Sequence, residues 1–435
     1  MTKRYAIVGT GGRCRMFIDA ILGPYKDRAT LVGFCDVSQT RMDFHNAQIA
    51  SRFGAAAVPT YLAGDFDRMV GETRADVVIV TSVDSTHHAY IIRAMQLGCD
   101  AVSEKPMTTD AEKALAILDA VNATGRGLRV TFNYRYQSGY SQLKRLVLEG
   151  AVGKPTAVDF AWMLDTRHGA DYFRRWHREK KNSGGLLVHK ATHHFDLINW
   201  WIDSYPQRVF CMGGLQFYGR AAAAERGETY AYDRYTGHPE SAGDPFAMHL
   251  DADPRLKAMY LDAETDSGYV RDRNVFGESI DIEDTMAVAA RYRSGAILNY
   301  SLIAYSPWEG MRVAITGTKG RVELESRHSS HIIAGQGDEE LAAEQNKGSC
   351  TTLRHYPMFA APRDVKIPAA AGAHGGGDVL VLDRVFNPDA PPDPLGRDAS
   401  HVDGAASILL GVCANKSIET GLPVDCDDVI ALPRR

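Results

Sequence analysis

Tyr5-Ala6-Ile7-Val8-Gly9-Thr10-Gly11-Gly12-Arg13-Cys14 is the stretch that decides the fold. Four apolar residues run straight into a glycine cluster, and Met16, Phe17, Ala20 and Ile21 then recur on one side of a helical pattern. Strand, glycine turn and helix in that order form the setting of a dinucleotide-binding loop. Gly9 permits the tight turn and Gly11 lets the backbone approach a pyrophosphate. Gly12 and Arg13 lead into a helix whose unpaired N–H groups face the anion. Cys14 stands where the third glycine of the fingerprint is expected; its side chain is small, but it departs from the pattern.

Outward from this loop, Leu31-Val32-Gly33-Phe34-Cys35-Asp36 reads as a second strand ending in a carboxylate. An acid there accepts hydrogen bonds from a ribose diol and repels a 2′-phosphate, which favours NAD over NADP. Arg41, close behind, is able instead to hold a 2′-phosphate, and Asp36 is also a candidate helix N-cap. Val77-Val78-Ile79-Val80 is a β-branched run of the kind buried on both faces of a parallel sheet; Thr81, Ser82 and His87 follow it. A helix is expected from Thr86 to Leu97, a strand over 100–104, a helix from Thr108 to about Ala123, and a last strand at Leu128–Phe132. The alternation predicts a doubly wound parallel sheet. Ser103-Glu104-Lys105-Pro106 puts Lys105 at the C-terminal end of a strand, where such sheets place their ligands. A lysine amine there can bind a substrate hydroxyl and help remove its proton; a solvated turn lysine is the plain alternative.

At 435 residues the chain is too long for one ordinary core, so two domains are expected. A net charge of -5 gives no electrostatic case for nucleic acid or an anionic membrane. No apolar run is long enough to span a bilayer, and the N-terminus does not read as a signal peptide. Seven scattered cysteines without a CxxC pair read as free thiols in a reducing compartment, hence the cytoplasm.

Asn133-Tyr134-Arg135-Tyr136 falls at the expected domain junction, where Tyr134, Arg135 and Tyr136 are candidates for a substrate wall. In Ser183-Gly184-Gly185-Leu186-Leu187-Val188-His189-Lys190-Ala191-Thr192-His193-His194-Phe195-Asp196, a continuous helix would set His189, His193 and Asp196 on one face. The two histidines also have the spacing of a helical zinc pair. The neighbouring Lys190 and the lack of a glutamate or cysteine partner weigh against metal, so none is expected. Arg167, His168, Trp176 and the arginines around it add positive charge and a stacking ring. With Lys190 they suggest an anionic group, a carboxylate or sulfonate, on the substrate. Residues 215–280 and 326–398 read as insertions, the first a lid or an oligomer contact, the second irregular. His374, before a glycine run, is a weak site candidate.

Gly9–Cys14, Asp36, Thr81–His87 and Glu104-Lys105-Pro106 together resemble the ordered motifs of the Gfo/Idh/MocA family. The resemblance implies an N-terminal Rossmann domain over 1–130. It also implies a C-terminal α+β domain over 131–435, built on a large, mostly antiparallel sheet whose open face commonly pairs subunits. By the same resemblance the coenzyme is NAD, less readily NADP, the substrate a sugar or glycoside, and the assembly a dimer or tetramer. The family's Asp-x-Gly-x-His-x-x-Asp pattern carries its site histidine onto His193 and its last Asp onto Asp196. Its first Asp is His189 here. The site expected is therefore Lys105, His189 and His193, with like charges depressing the Lys105 pKa. A dehydrogenase of an acidic sugar is the leading expectation. The alternatives are a glycosidase that oxidises, eliminates, hydrates and re-reduces with no net redox change, and a non-catalytic dinucleotide sensor.

Overall fold

The computed structural model describes residues 2–334, 350–369, 376–387 and 389–433. The N-terminal strands are β1 (Lys3–Val8), β2 (Ala29–Asp36), β3 (Thr60–Leu62), β4 (Val77–Val80), β5 (Asp100–Ser103) and β6 (Leu128–Val130). They form a parallel sheet in the order β6-β5-β4-β1-β2-β3, and Ala399–Ser400 adds an antiparallel edge beside β6. Ala6, Ile7 and Val8 are buried because helices cover both faces, which is why β1 reads as an unbroken apolar run. The chain builds outward from β1 through β2 to β3, then crosses to β4 on the other side. That reversal opens a crevice above the C-terminal ends of β1 and β4, and the glycine loop sits in it.

The second sheet contains β7 (Pro155–Asp165), β8 (Pro206–Gly214), β9 (Thr285–Tyr292), β10 (Ile297–Ser306), β11 (Gly310–Gly317), β12 (Gly320–Arg327), β13 (Cys350–Pro357) and β14 (Arg363–Asp364). Their order is β14-β13-β12-β11-β7-β10-β9-β8, closed by Val424–Asp425. Every pairing is antiparallel except β7 with β10. Burial alternates strictly along β9 and β10, the mark of a sheet with one face packed and one open. The packed face lies under helices Thr192–Ile202 and His401–Thr420; the latter is fixed at its start by a Ser400/Asp403 capping box and ended by Gly421. The two-sheet α/β architecture is the one expected.

Two expectations about local structure change. The stretch around the histidines is not one helix: Leu186–His189 and Thr192–Ile202 are separate, with the chain turning at Lys190 and Ala191. The break turns His189 away from the Asp196 face. Nor is 326–398 irregular throughout, since β13 and β14 extend the sheet there. Helix Gly377–Phe386 leaves that sheet and packs on the N-terminal domain, with Phe386 4.9 Å from the Tyr5 ring and 5.2 Å from Tyr25. His374 lies outside the described residues. The first insertion is a chain of short helical turns. Its entry is held by Asp284, which accepts the N–H groups of Gln216, Phe217 and Tyr218 at 2.7–2.9 Å.

Candidate active site

A cleft of about 510 Å³ lies between the domains, lined from below by the glycine loop and from above by the histidine segment. At its floor Gly9 has φ +85, and a Cβ there would lie 2.4 Å from the Ser82 backbone, so only glycine lets β1 and β4 release their loops side by side. Gly11 is the opposite case. A Cβ on it meets no atom within 4 Å, because the residue faces the cleft it lines. That bare backbone is the cradle a pyrophosphate needs. Asp36 closes β2 and accepts from the Thr10 N–H, from Thr10 Oγ1 (2.9 Å) and from the Ser38 N–H (2.9 Å), with Arg41 at 3.3 Å. The residues present therefore fit a dinucleotide.

The other coenzyme-side candidates divide. Gly12, Arg13, Thr81, Ser82, His87 and Glu104 line the cleft; Cys14 does not. Its thiol is buried behind the loop, 3.0 Å from the Gly11 carbonyl and 3.3 Å from His45 Nε2. Arg13 Nε donates to Glu104 at 2.8 Å. The His87 ring nitrogens lie 2.9 Å from the Pro106 carbonyl and 3.0 Å from that of Ser82, so this imidazole braces the Lys105 turn against the loop after β4.

On the substrate side, Lys105, His189, Lys190 and His193 line the same cleft. Lys105 Nζ donates to the His189 carbonyl at 3.3 Å. His189 Nδ1 lies 2.5 Å from Asp84 Oδ2, and the edge of its ring meets His177 at 4.2 Å. His177 itself stacks on Trp176 at 3.6 Å. Lys190 Nζ donates to the Tyr134 hydroxyl at 3.2 Å and sits 4.7 Å above the Trp162 ring. Tyr134 and His193 are parallel at 4.0 Å. His168 meets Glu309 through Nδ1 (2.8 Å) and the Tyr172 hydroxyl through Nε2 (3.0 Å).

Burial dominates the electrostatics. It draws the Lys105 ammonium down to about 8, with Asp84 opposing and Lys190 assisting. The leading cause is thus desolvation, not the like charges expected from the sequence. Burial also takes Lys190 to about 8 against the pull of Glu309 and Asp165. It drives His189 and His177 well below the usual histidine range, so both are neutral near pH 7. Burial pushes Asp84 well above the usual carboxyl range, with Lys105 opposing. Burial favours the neutral acid at Glu309 too, but His168 and Lys190 outweigh it and hold the carboxyl at about 2.

Three of the residues expected on the substrate side, Arg135, Tyr136 and Arg167, do not line the cleft. Arg135 is fully buried and spends its guanidinium on Asp196 (2.8 and 2.5 Å) and Asp403 (3.0 Å). Tyr136 donates to Asp398 at 2.9 Å under the Arg397 guanidinium. Arg167 opens helix Thr166–Arg174, with its backbone N–H on Asp165. Conversely, sequence reasoning missed Asp84, Tyr172, Tyr260, Ser267 and Tyr269, all of which line the cleft, as does His177 beside Trp176. Asp84 stands between Ser82 and His87 in a stretch already singled out, and its position there was the available signal. Nothing local marked the other four.

Residues 3–132 match the model of the oxidoreductase family's NAD-binding Rossmann fold, and residues 144–425 that of its C-terminal alpha/beta domain. YteT of Bacillus subtilis (strain 168), named as an oxidoreductase, is 34% identical over 451 residues, covering 99% of each chain. Inositol 2-dehydrogenase of Agrobacterium fabrum is 32% identical over 208 residues, 47% of this chain and 55% of its own. Among solved structures, the WlbA dehydrogenase of Bordetella pertussis, crystallised with NADH and UDP-GlcNAcA, superposes with a TM-score of 0.63 at 20% identity, over 98% of this chain and 99% of its own. The aldose–aldose oxidoreductase of Caulobacter crescentus gives 0.61 at 16%, over 98% and 100%. Likeness at those identities shows the fold alone. The family models and the full-length relative show more: the chain belongs to the Gfo/Idh/MocA oxidoreductase family, with an NAD-binding Rossmann domain ahead of its C-terminal α/β domain.

Proposed function

We propose that the protein is an NAD-dependent dehydrogenase of a sugar-type hydroxyl, with Lys105 receiving the hydroxyl proton. The observation that carries this reading is that Lys105, His189, Lys190 and His193 share one cleft with Gly11 and Asp36. NAD, when bound, supplies the acceptor for the carbon-bound hydrogen. Gly9, Gly11 and Arg13 would hold its pyrophosphate, with Gly12 alongside them under Tyr260, and Asp36 its ribose. Lys105, drawn down to about 8, is partly neutral near pH 7 and able to take a proton. His193, fixed against Tyr134, orients the hydroxyl, and His189, held by Asp84, carries the substrate from the other side. Rapid mixing with NAD and a panel of sugars and cyclitols tests this; no NADH from any of them would sink it.

The substrate class we favour is an acidic sugar, with Lys190 and His168, which line the same cleft, as the carboxylate's partners. WlbA was crystallised with a UDP-linked acidic sugar, which supports the idea by analogy. Equal kcat/KM for a neutral sugar and its uronic acid would dismiss it. A second reading, the redox-neutral glycosidase, gains from His168: with Glu309 and Tyr172 it forms a further acid–base group in the same cleft. Aglycone released without net NADH separates the two.

We place the protein in the cytoplasm, since all seven cysteines are free and six are buried. No helix among the described residues is long and apolar enough to cross a membrane. We also propose a homo-oligomer joined through the open sheet face, where Phe210, Met212 and Ile297 are exposed. A monomeric mass in solution would overturn that.

A further inference from the structure

The first insertion does not stay in its own domain. Its segment Leu250–Tyr269 reaches back over the N-terminal domain and is anchored there at three points. Leu250, Met259 and Tyr260 form a small apolar cluster with Phe44, which belongs to helix Gln39–Phe53. The Gly12 N–H donates to the Tyr260 hydroxyl at 3.2 Å, so this ring rests on the glycine loop. Asp266 accepts from Ser38 Oγ at 2.6 Å and from the Thr40 N–H at 3.0 Å. Tyr260, Ser267 and Tyr269 line the cleft next to Asp36, Val37 and Arg41.

Ser38 and Thr40 begin the helix that follows β2. They stand one turn from Asp36, the residue that would hold the coenzyme's adenosine ribose. A 2′-phosphate at that ribose would need the Ser38 hydroxyl, the Thr40 N–H and the Arg41 guanidinium, the ordinary donors for an anion at a helix start. Asp266 takes the first two, while Arg41 lines the cleft with one contact to Asp36 at 3.3 Å. Asp36 lies against the Arg41 guanidinium and Asp266 acts on it electrostatically, so these three groups carry a net charge of one negative. The hydrogen bonds from Ser38 and Thr40 also hold the Asp266 carboxyl below the usual range, keeping it ionised.

We propose that Asp266 is a specificity-determining residue for the coenzyme: delivered by the insertion, it occupies the 2′-phosphate position and excludes NADP. The insertion thereby adds a second acidic gate to the one supplied by Asp36. The inference rests on the cleft being the dinucleotide site. Because Asp266 is solvent-exposed, its repulsion is partly screened, and the expected effect is modest: about fivefold to tenfold in affinity.

The test is equilibrium titration of the full chain with NAD and NADP, followed by protein fluorescence or calorimetry. Asp266→Asn keeps an acceptor for Ser38 and Thr40 but drops the charge. Asp262→Asn, an exposed acid paired with Lys257 on the same segment, is the matched control. The expected result is tighter NADP binding in Asp266→Asn by about fivefold to tenfold, more so at low salt, with NAD affinity within about twofold and the control unchanged. An unchanged NAD-to-NADP ratio in Asp266→Asn, an equal shift in the control, or a wild type that prefers NADP overturns the inference. A wild type that binds neither dinucleotide overturns the cleft assignment itself.

Discussion

His189 Nδ1 lies 2.5 Å from Asp84 Oδ2, so a carboxylate of the N-terminal domain holds an imidazole of the C-terminal one across the cleft. Where the resembling family carries an acid, this chain carries His189, and Asp84 returns a carboxylate from the opposite wall. When ionised, Asp84 acts on Lys105: of the neighbouring charges, it contributes most to keeping the ammonium from falling further.

Asp84→Asn removes the counter-charge that the ionised Asp84 supplies. The ammonium form of Lys105 loses support, and its pKa drops below about 8. In the wild type, kcat/KM for alcohol oxidation should rise with pH through about 8, as the amine becomes neutral. In Asp84→Asn the same limb should move to lower pH by about one unit. A full pH–rate profile of both proteins checks this; a limb that stays in place removes Asp84 from the proton chemistry.

Lys105→Met keeps the length and apolar stem of the side chain but removes the amine. Turnover should fall by about 10²–10⁴-fold, the usual contribution of a positioned general base. NAD affinity, measured by titration, should change by less than about threefold, because the Met side chain leaves the glycine loop and Asp36 intact.

The two loop glycines should respond differently to alanine. Gly11→Ala places a methyl where no protein atom lies within 4 Å, so melting should stay within about 2 °C of wild type. NAD binding should weaken at least about tenfold, because the methyl enters the pyrophosphate cradle. Gly9→Ala forces a Cβ to 2.4 Å from the Ser82 backbone at φ +85, so it should lower the melting temperature or the soluble yield outright. Thermal melts paired with NAD titrations distinguish the two.

Arg135→Ala should act on stability. It leaves Asp196 and Asp403 without the guanidinium they share in a buried site, at a cost of about 3–5 kcal/mol. Denaturant unfolding should show the loss, while KM of the surviving folded protein stays near wild type. A raised KM with unchanged stability would restore Arg135 to the substrate wall.

Much of the N-terminal domain was legible because its signals are local. A parallel strand buried on both faces must be a short apolar run, as Val77–Val80 is, and a tight turn beside another backbone must be glycine, as Gly9 is. The second domain was less legible. Its sheet joins β7 to β10 and β11, more than a hundred residues further along, and alternating burial marks a strand without naming its neighbour. The misreading of Arg135 has a related cause. An arginine beside tyrosines at a domain junction looks alike whether it faces a cleft or an acid 61 residues away. The helix expected through His189 and His193 breaks at Lys190, a turn that periodicity alone did not disclose.

From the sequence alone follow the β–α alternation, the glycine loop, the acid closing β2 and the lysine after β5, since each is dictated by spacing within about ten residues. Tertiary structure alone decided which groups surround that lysine. Asp84 reaches His189 across 105 residues, and Tyr260 reaches Gly12 across 248. Such meetings depend on how two domains and an insertion pack, and burial then sets the charge of every group they enclose.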